Sequence, residues 1–458
     1  MSANAILHAV LAHLGSIAGF VMGAVLIAFI VVQRRAPGTT LAWLLAIVFI
    51  PYVGVPLYLF LGGRKLRSSS KPRLYRSQDV PEAARGTIAG MLCVSGSPPP
   101  RSGNTVEILA TGEQAFAAVI ELLRGAQRSI HISTLIVGDD EVGAAIVGVL
   151  EDKARAGVEV RLLIDGFFKF RANGRQLASL VRAGGKLAWF APVWHIPFRQ
   201  RTNLRLHRKI IVVDGQTALI GGMNLAVEYM GPTPLASRWR DLSFRVRGPV
   251  IDDLASVFHA DWAYATGEQL DAPAATVPSG GDAEVQVIAS GPDAANDRIY
   301  DAFLSLIFEA RQRLWISTPY FVPDEALSRG FALAARRGVD VRIAVPARSN
   351  HLTADLAGGS YLRQVADAGG KICCYEPGML HAKGVLVDDR LAVVGSANLD
   401  MRSLFLDYEI SLFMSSPAEI STVARWFESL WPDCGELQPA SNGRNLLESV
   451  FRIVGPLE

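Results

Sequence analysis

Two short motifs in this sequence combine side chains that can transfer a phosphoryl group. Residues 207–215 read HRKIIVVDG and residues 381–388 read HAKGVLVD, so His-x-Lys-x-x-x-x-Asp occurs twice. An imidazole can attack or move a proton near neutral pH, and a lysine ammonium can neutralise phosphoryl oxygens. These groups suit a phosphodiester. The candidate catalytic residues are His207, Lys209, Asp214, His381, Lys383 and Asp388.

Each motif supplies half of what an in-line displacement at phosphorus needs. One imidazole cannot conveniently be both the nucleophile and the acid that protonates the leaving group, because the two roles lie on opposite sides of the phosphorus. Two imidazoles can divide the roles. We therefore expect one shared active site, to which each copy of the motif contributes half.

Each motif is also predicted to open a β-hairpin. In IIVVDGQTALIGG, two apolar runs flank an Asp-Gly turn. Side chains alternate along a strand, so His207 and Lys209 face the same side, whereas Asp214 lies about 23 Å farther along. We infer that the motif aspartates hold the turns and take no part in the chemistry.

Folding the first hairpin on a two-residue turn places Gly222 opposite His207, with Asn224 just beyond it. The same construction in the second copy places Ser396 opposite His381, with Asn398 nearby. Each copy is thus expected to bring an imidazole, an ammonium and an amide to one place.

The soluble part of the chain is built twice from one unit. RSIHIST resembles RLWIST, AGVEVRLLID resembles RGVDVRIAVP, and AGGKLAWFAP resembles AGGKICCYEP, in the same order. Strands alternate with helices in both copies, which predicts an α/β fold. The expected units are a membrane hairpin (1–63), a flexible basic linker (64–103), a first repeat (104–266), an inter-repeat linker (267–282) and a second repeat (283–458).

Two uncharged N-terminal segments are long enough to cross a bilayer. Residues 14–32 and 41–61 contain nineteen and twenty-one residues, and QRRAPGTT separates them. A helix of about 20 apolar residues spans the hydrocarbon core, so the two segments are predicted to be transmembrane helices. A competing picture makes the second segment partly re-entrant, because of its Pro51, Gly54 and Pro56. Arginine and lysine are more frequent after the hairpin than in its loop, so the catalytic part should be cytoplasmic.

Composition excludes several classes of protein. Lys+Arg number 45 and Asp+Glu 43, so the chain lacks the basic excess of a dedicated nucleic-acid binder. The four cysteines have no C-x-x-C spacing and predict neither zinc nor a disulfide framework. No H-E-x-x-H or Walker spacing occurs, so we expect chemistry without a metal or cofactor. Single histidines are usually structural, and this applies to His131, His195, His259 and His351.

The motifs resemble those of the phospholipase D superfamily, and closely its membrane-anchored bacterial cardiolipin synthases. Beyond HRKIIVVDG with GGMN and MLHAKGVLVDD with GSANLDMRS, the resemblance covers the N-terminal hairpin, WRDLSFRVRGP, STPYFVPDEAL and LDYE. It implies two tandem phospholipase D-like α/β/α repeats that share one active site, in a multi-pass protein of the bacterial inner membrane. It also implies transfer of a phosphatidyl group between two phosphatidylglycerol molecules, giving cardiolipin and glycerol through a phosphohistidine.

The resemblance further implies roles for single residues. His207 would be the nucleophile, and His381 would protonate the departing glycerol and then activate the incoming hydroxyl. Asp241 and Glu409 would hydrogen-bond the far ring nitrogens of the two histidines. Lys209, Lys383, Asn224 and Asn398 would bind the phosphate. Gly222 departs from the superfamily, which often has serine there, whereas Ser396 keeps the hydroxyl.

Two other functions use the same residues. A membrane-anchored phospholipase D would transfer the phosphatidyl group to water, and a tethered nuclease would use Arg199, Arg201, Arg205 and Arg208. No nucleic-acid partner is expected, because the net charge is near neutral. The first repeat has eleven extra residues, VWHIPFRQRTN (193–203), before His207. Through Trp194 and Phe198 they are predicted to form a lip that admits lipid, the alternative being a loop packed on the protein surface.

Overall fold

The computed structural model describes residues 19, 21–32, 37–62, 86–191, 204–271, 280–294 and 296–454. Its N-terminal part is helical: α1 covers residues 21–32, α2 Pro37–Phe49 and α3 Pro51–Leu61. These helices bury a small apolar cluster of their own, formed by Ile30, Trp43, Ile47 and Tyr58.

The second predicted span, residues 41–61, is divided between two helices. Ile50 has φ −132° and ψ 57°, which ends α2, and Pro51 stands at the start of α3, where proline is well tolerated. Gly54 lies so close to the Ala46 carbonyl that a Cβ would overlap it, so α3 approaches α2 directly. Among the helices that the structure describes, there is none with both the length and the apolar character required to span a bilayer. The predicted pair of transmembrane helices is therefore not confirmed.

The remaining described residues are organised around one fifteen-stranded sheet. Its order is β17-β12-β11-β9-β13-β14-β16-β8-β1-β7-β6-β5-β2-β3-β4, and β10 pairs separately with β15. The strands are β1 Arg101–Leu109, β2 Ser129–Thr134, β3 Glu159–Asp165, β4 Lys186–Phe190, β5 Ile210–Val213, β6 Thr217–Gly221, β7 Ser243–Arg247, β8 Ala283–Ser290, β9 Arg313–Ser317, β10 Phe321–Val322, β11 Asp340–Pro346, β12 Lys371–Tyr375, β13 Gly384–Val387, β14 Leu391–Gly395, β15 Leu399–Asp400, β16 Glu409–Met414 and β17 Cys434–Glu436.

The strand order confirms the tandem repeat. Outward from the central β1–β8 pair, one side runs β7, β6, β5, β2, β3, β4 and the other runs β16, β14, β13, β9, β11, β12, with the short β17 added antiparallel at its edge. In both repeats three strands pair in parallel, β2–β3–β4 and β9–β11–β12, and the motif hairpin pairs antiparallel with the first of them, β2 or β9. The α/β prediction is correct, while the unit boundaries stay a prediction.

Helices cover the sheet. They are α4 Ile88–Val94, α5 Gly112–Gly125, α6 Glu141–Arg155, α7 Gly174–Arg182, α8 Ile251–Thr266, α9 Arg298–Glu309, α10 Glu325–Arg336, α11 Leu352–Asp367, α12 Met401–Phe405, α13 Pro417–Glu428 and α14 Asn442–Val454, with 3₁₀ helices at Gly166–Arg171 and Trp431–Asp433. One core cluster joins β5, β6 and β7 to β13, β14 and β16, so the two repeats bury apolar surface against each other.

Two details differ from the sequence-based picture. Cys373 on β12 and Cys434 on β17 form a disulfide, although the cysteine spacing predicted none. The two residues are 61 apart in sequence and become neighbours only because β17 pairs with β12. The predicted linker 64–103 is folded from residue 86 onward, since it contains α4 and the start of β1.

Candidate active site

The two motifs begin where their neighbouring parallel strands end. Ile210, at the start of β5, pairs with Ser133 near the end of β2, and Gly384 of β13 pairs with Ser317 at the end of β9. His207 and His381 therefore lie just beyond the carboxyl ends of parallel strands, where α/β proteins commonly place their ligand sites.

Each motif histidine is held by backbone of the other repeat. The His207 N–H donates to the Tyr408 carbonyl at 2.9 Å, and the Tyr408 N–H donates to the Arg205 carbonyl at 2.8 Å. In the same pattern, the His381 N–H donates to the Arg240 carbonyl at 2.7 Å. These backbone bonds bring His207 next to the residue after Tyr408, and His381 next to the residue after Arg240.

These next residues, Glu409 and Asp241, are carboxylates, and each contacts the histidine of the other repeat. Nδ1 of His207 lies 2.8 Å from Oε1 of Glu409, and Nδ1 of His381 lies 2.6 Å from Oδ2 of Asp241. The partners are 202 and 140 residues apart in sequence. A carboxylate at Nδ1 fixes the tautomer that leaves the Nε2 lone pair free, and it stabilises the imidazolium that forms during proton transfer.

A cavity of about 700 Å³ contains both imidazoles on its wall. Asn224 and Asn398 also line it, and each is buried with at least one side-chain polar atom that has no hydrogen-bond partner. Lys209 donates to the His207 carbonyl at 2.7 Å, while the Lys383 ammonium lies 3.0 Å from Nε2 of His381. The structure thus places one imidazole and one amide from each repeat on the cavity wall, while the ammonium groups of Lys209 and Lys383 lie next to the histidines and do not line the cavity.

Burial determines the protonation of the histidines. It lowers the pKa of His381 to about 3, with Lys383 adding to the effect, and it lowers the pKa of His207 well below its ordinary value, with Lys209 and Lys383 adding. Both rings are therefore neutral at pH 7 in the unliganded site. A neutral ring with Nδ1–H directed at a carboxylate presents a nucleophilic Nε2.

The two carboxylates differ in charge. Burial alone would raise the pKa of Asp241, but His381 and Lys383 outweigh it and hold that pKa below its ordinary value. Burial raises the pKa of Glu409 to about 7 even though Lys209 opposes it. The two histidine–carboxylate pairs are alike in geometry and unlike in electrostatics.

Asp241, Glu409 and Ser396 lie behind the histidines and do not line the cavity. Asp241 and Glu409 contact the imidazoles, and the Ser396 hydroxyl donates to Glu409. Ser403 donates to Glu409 as well, at 2.7 Å. In the first repeat a Cβ on Gly222 would overlap the Asp241 carboxylate, which explains why this position has glycine where its counterpart is Ser396.

The predicted hairpin register is wrong by one residue. Val213 pairs with Thr217 and Val387 pairs with Leu391, so three residues and not two separate the paired positions. The shift follows from Asp214 and Asp388, which adopt the left-handed conformation with φ 56° and 51°. Aspartate tolerates that conformation better than most residues.

The motif aspartates stabilise their turns and also bind the backbone of a neighbouring strand. Asp214 accepts hydrogen bonds from the backbone N–H groups of Gln127, Arg128 and Ser129, at 2.7–2.9 Å. Asp388 accepts from Arg311, Gln312 and Arg313 in the same way. Each aspartate therefore fastens its hairpin to the start of the neighbouring parallel strand, and neither lines the cavity.

We expect Asp214→Asn to lose stability and Asp241→Asn to lose catalysis. The first change turns an NH₂ group or a weaker acceptor toward three N–H donors, which costs about 1–3 kcal/mol of unfolding free energy. The second change disturbs the tautomer of His381, for which a loss of about 10⁴-fold in turnover is typical. Urea denaturation and kcat measured on both variants test the contrast, and an equal loss of kcat in two folded variants would contradict it.

The surroundings of the two histidines were not predicted from the sequence. Tyr229 and Trp239 contact the His381 ring, each with its centroid 5.2 Å away. On the other side, Ser403 bonds to Glu409, and Asp407 lines the cavity next to Arg402, whose Nε is 3.2 Å from the Asp407 carboxylate. His351 was expected to be structural, but it also lines the cavity. The sequence contains one signal for these neighbours: WRD (239–241) and DYE (407–409) occupy matching positions in the two repeats, and each ends in the carboxylate that contacts a histidine.

Two of the arginines considered for nucleic-acid binding are engaged inside the protein. Arg205 is paired with Asp165 at 3.1 Å, and Arg208 is paired with Asp261 at 2.5 Å. Both guanidinium groups are buried. Arg199 and Arg201, like the whole predicted lip 193–203, lie outside the described residues.

Comparisons with known proteins agree with this geometry. The family described as "Cardiolipin synthase, PLD-like domain" matches residues 119–262 and 303–431, and "Phospholipase_D-nuclease N-terminal" matches residues 23–63. Cardiolipin synthase 1 of Bacillus cereus is 32% identical, over 94% of this chain and 91% of its own length. A cardiolipin synthase of Halalkalibacterium halodurans is 35% identical, over 93% and 90%. The fold is similar to that of Haemophilus influenzae phosphatidylserine synthase, with a TM-score of 0.59 and 18% identity over 77% of this chain and 95% of that one.

Proposed function

Because this chain belongs to the cardiolipin synthase family of phospholipase D-like proteins, we propose that it transfers a phosphatidyl group from one phosphatidylglycerol to another, giving cardiolipin and glycerol. The observation that carries the proposal is the pair of histidines, each bonded to a carboxylate of the other repeat, on the wall of one cavity. Two neutral imidazoles facing one cavity suit a two-step displacement at phosphorus.

In the first step, Nε2 of His207 attacks the phosphorus and the bond from phosphorus to the glycerol oxygen breaks. His381 gives a proton from Nε2 to that oxygen, so glycerol leaves neutral and a phosphatidyl-histidine remains. The resting His381 is neutral, and an anionic phosphodiester bound beside Lys383 favours its protonation, because the added negative charge offsets the ammonium. Asp241 stabilises the resulting imidazolium.

In the second step, His381 takes the proton of the incoming hydroxyl of a second phosphatidylglycerol. The hydroxyl oxygen bonds to phosphorus, the bond from phosphorus to Nε2 of His207 breaks, and His207 is neutral again. Lys209, Lys383, Asn224 and Asn398 bind the two non-bridging oxygens in both steps. Ammonium and amide donors fixed in a buried site stabilise the charge that develops at those oxygens.

A hydrolase would use the same first step and admit water to the second. The test is product analysis of the purified full chain with phosphatidylglycerol, by mass spectrometry. Cardiolipin and glycerol in equal amounts support the synthase. Phosphatidic acid as the main product would instead assign a membrane-bound phospholipase D. A nuclease is disfavoured because Arg208, one of the arginines it would use, is held in a buried ion pair with Asp261 and does not line the cavity.

We also propose that α1, α2 and α3 attach the chain to the bacterial inner membrane, with the repeats on the cytoplasmic side. Support comes from the family match over residues 23–63 and from the exposed apolar side chains of these helices, among them Val25, Val32, Phe49 and Tyr52. Apolar side chains in such numbers are stable when lipid covers them. Protease protection of inverted membrane vesicles tests the orientation.

The efficiency of the enzyme should fall as pH rises above about 7. Burial lowers the pKa of Lys209 to about 7 and that of Lys383 to about 8, so both ammonium groups are charged below these values and neutral above them. Since kcat/KM reports the free enzyme, its alkaline limb should begin near pH 7. Lys209→Arg keeps its charge at any pH and should move that limb upward.

The control is Lys186→Arg, since Lys186 is exposed and paired with Glu268 at 2.8 Å. Its profile should match that of the parent. An alkaline limb that stays in place in Lys209→Arg would show that another group causes it.

A further inference from the structure

Two equivalent loops form the rim of the active-site cavity. In the first repeat, the 3₁₀ helix Gly166–Arg171 follows β3, and its Phe167 and Phe168 line the cavity. In the second repeat, residues 347–351 and the start of α11 follow β11, and His351 and Thr353 line the cavity. The rim therefore has one lip from each repeat.

Each lip exposes a large apolar side chain right beside the cavity. Phe170 is 74% exposed and Leu352 is 72% exposed. Within the described residues from 86 to 437, no other large apolar side chain is as exposed as these two. Because both side chains lie at the lips of the same cavity, they form an exposed apolar surface that a binding partner can cover.

The lips are also basic. Lys169 and Arg348, neighbours of the two apolar residues in the loops, are both exposed. The Lys169 ammonium lies 5.4 Å from the centre of the Trp189 ring, which holds it at the first lip. Apolar side chains with flanking cations suit the interface of a bilayer that contains anionic lipid.

The size of the cavity points to the same partner. A volume of about 700 Å³ is that of a site for a drug-sized ligand. It can hold a phosphoglycerol headgroup and the adjoining glycerol backbone, but it is too small for a whole diacyl phospholipid, so most of the acyl chains remain outside. They leave across the rim, where Phe170 and Leu352 lie.

We propose that Phe170 and Leu352 insert into the surface of an anionic bilayer and so bring the cavity mouth to the lipid headgroups. The inference rests on the proposed function, because it takes the substrate to be a bilayer lipid. Lys169 and Arg348 contact lipid phosphates at the same depth. The rim thus determines access to the site and leaves the chemistry unchanged.

The test compares the full chain with the double variant Phe170→Ser/Leu352→Ser on two substrates. One is phosphatidylglycerol in liposomes that contain the reconstituted enzyme, and the other is a short-chain phosphatidylglycerol dissolved as monomers in detergent solution. We expect turnover on the liposomes to fall about tenfold or more, and turnover on the soluble substrate to stay within twofold. The matched control is Val181→Ser/Phe308→Ser, which removes apolar side chains that are 49% and 52% exposed and do not line the cavity.

Insertion is measured independently. Phe170→Trp and Leu352→Trp should each add fluorescence that brominated phospholipids quench, whereas Phe308→Trp should add fluorescence that they do not quench. Equal loss on both substrates, no loss on either, or unquenched tryptophans at both lips would overturn the proposal. Failure of the parent enzyme to convert phosphatidylglycerol in either form would instead count against the proposed function, so the two failures are distinguishable.

Discussion

Alanine at His207 or at His381 is expected to lower phosphatidyl transfer by about 10⁴-fold or more. Each imidazole occupies a place that no neighbouring group can take, since Glu409 and Asp241 are directed at Nδ1 and not at the cavity. Losses of this size are typical when one member of a catalytic constellation is removed. Turnover of radiolabelled phosphatidylglycerol in detergent micelles measures the effect.

A substrate with a good leaving group separates the two histidines. Phosphatidyl-p-nitrophenol needs no proton for departure, so His381→Ala should release about one equivalent of nitrophenol and accumulate a phosphatidyl-histidine. His207→Ala should give neither. A burst from His207→Ala with the label on His381 would reverse the two roles, and thermal unfolding of both variants shows whether they remain folded.

Arg208→Met is expected to lower the free energy of unfolding by about 3–5 kcal/mol, the usual result when one partner of a buried ion pair is removed. Arg208 is 1% exposed and pairs with Asp261. It also donates to the carbonyls of Glu409, at 3.1 Å, and Ser290, at 2.9 Å, both in the second repeat. Its loss leaves a buried carboxylate unpaired and removes two bonds between the repeats.

Urea denaturation in detergent solution measures the change, and the double variant Arg208→Met/Asp261→Leu serves as the control. Replacing both ions with apolar side chains removes the unpaired charge, so most of the stability should return. A single variant as stable as the parent would show that the ion pair contributes nothing. Activity should fall in the single variant as well, because one of the bonds that hold the Glu409 backbone beside His207 is lost.

Much of the site could be predicted from local pattern. His207 and Lys209 stand two residues apart before a Val-rich strand, and the second repeat gives the same order, so the expectation of a site shared by both repeats followed from the duplicated motif. The hairpin register did not follow. It depends on the left-handed conformation of Asp214 and on the bonds of its carboxylate to Gln127, Arg128 and Ser129, which lie more than 80 residues away.

The sequence by itself determined that this protein has two α/β repeats and one phosphodiester site, because repeated motifs and side-chain alternation are local properties of the chain. Only the tertiary structure decided that His207 is bonded to Glu409 and His381 to Asp241, across 202 and 140 residues. It also decided that Tyr229 and Trp239 surround one histidine while its counterpart has polar neighbours. The physical reason is that these contacts form where the repeats pack together, and neither repeat alone specifies which of its side chains the other will meet.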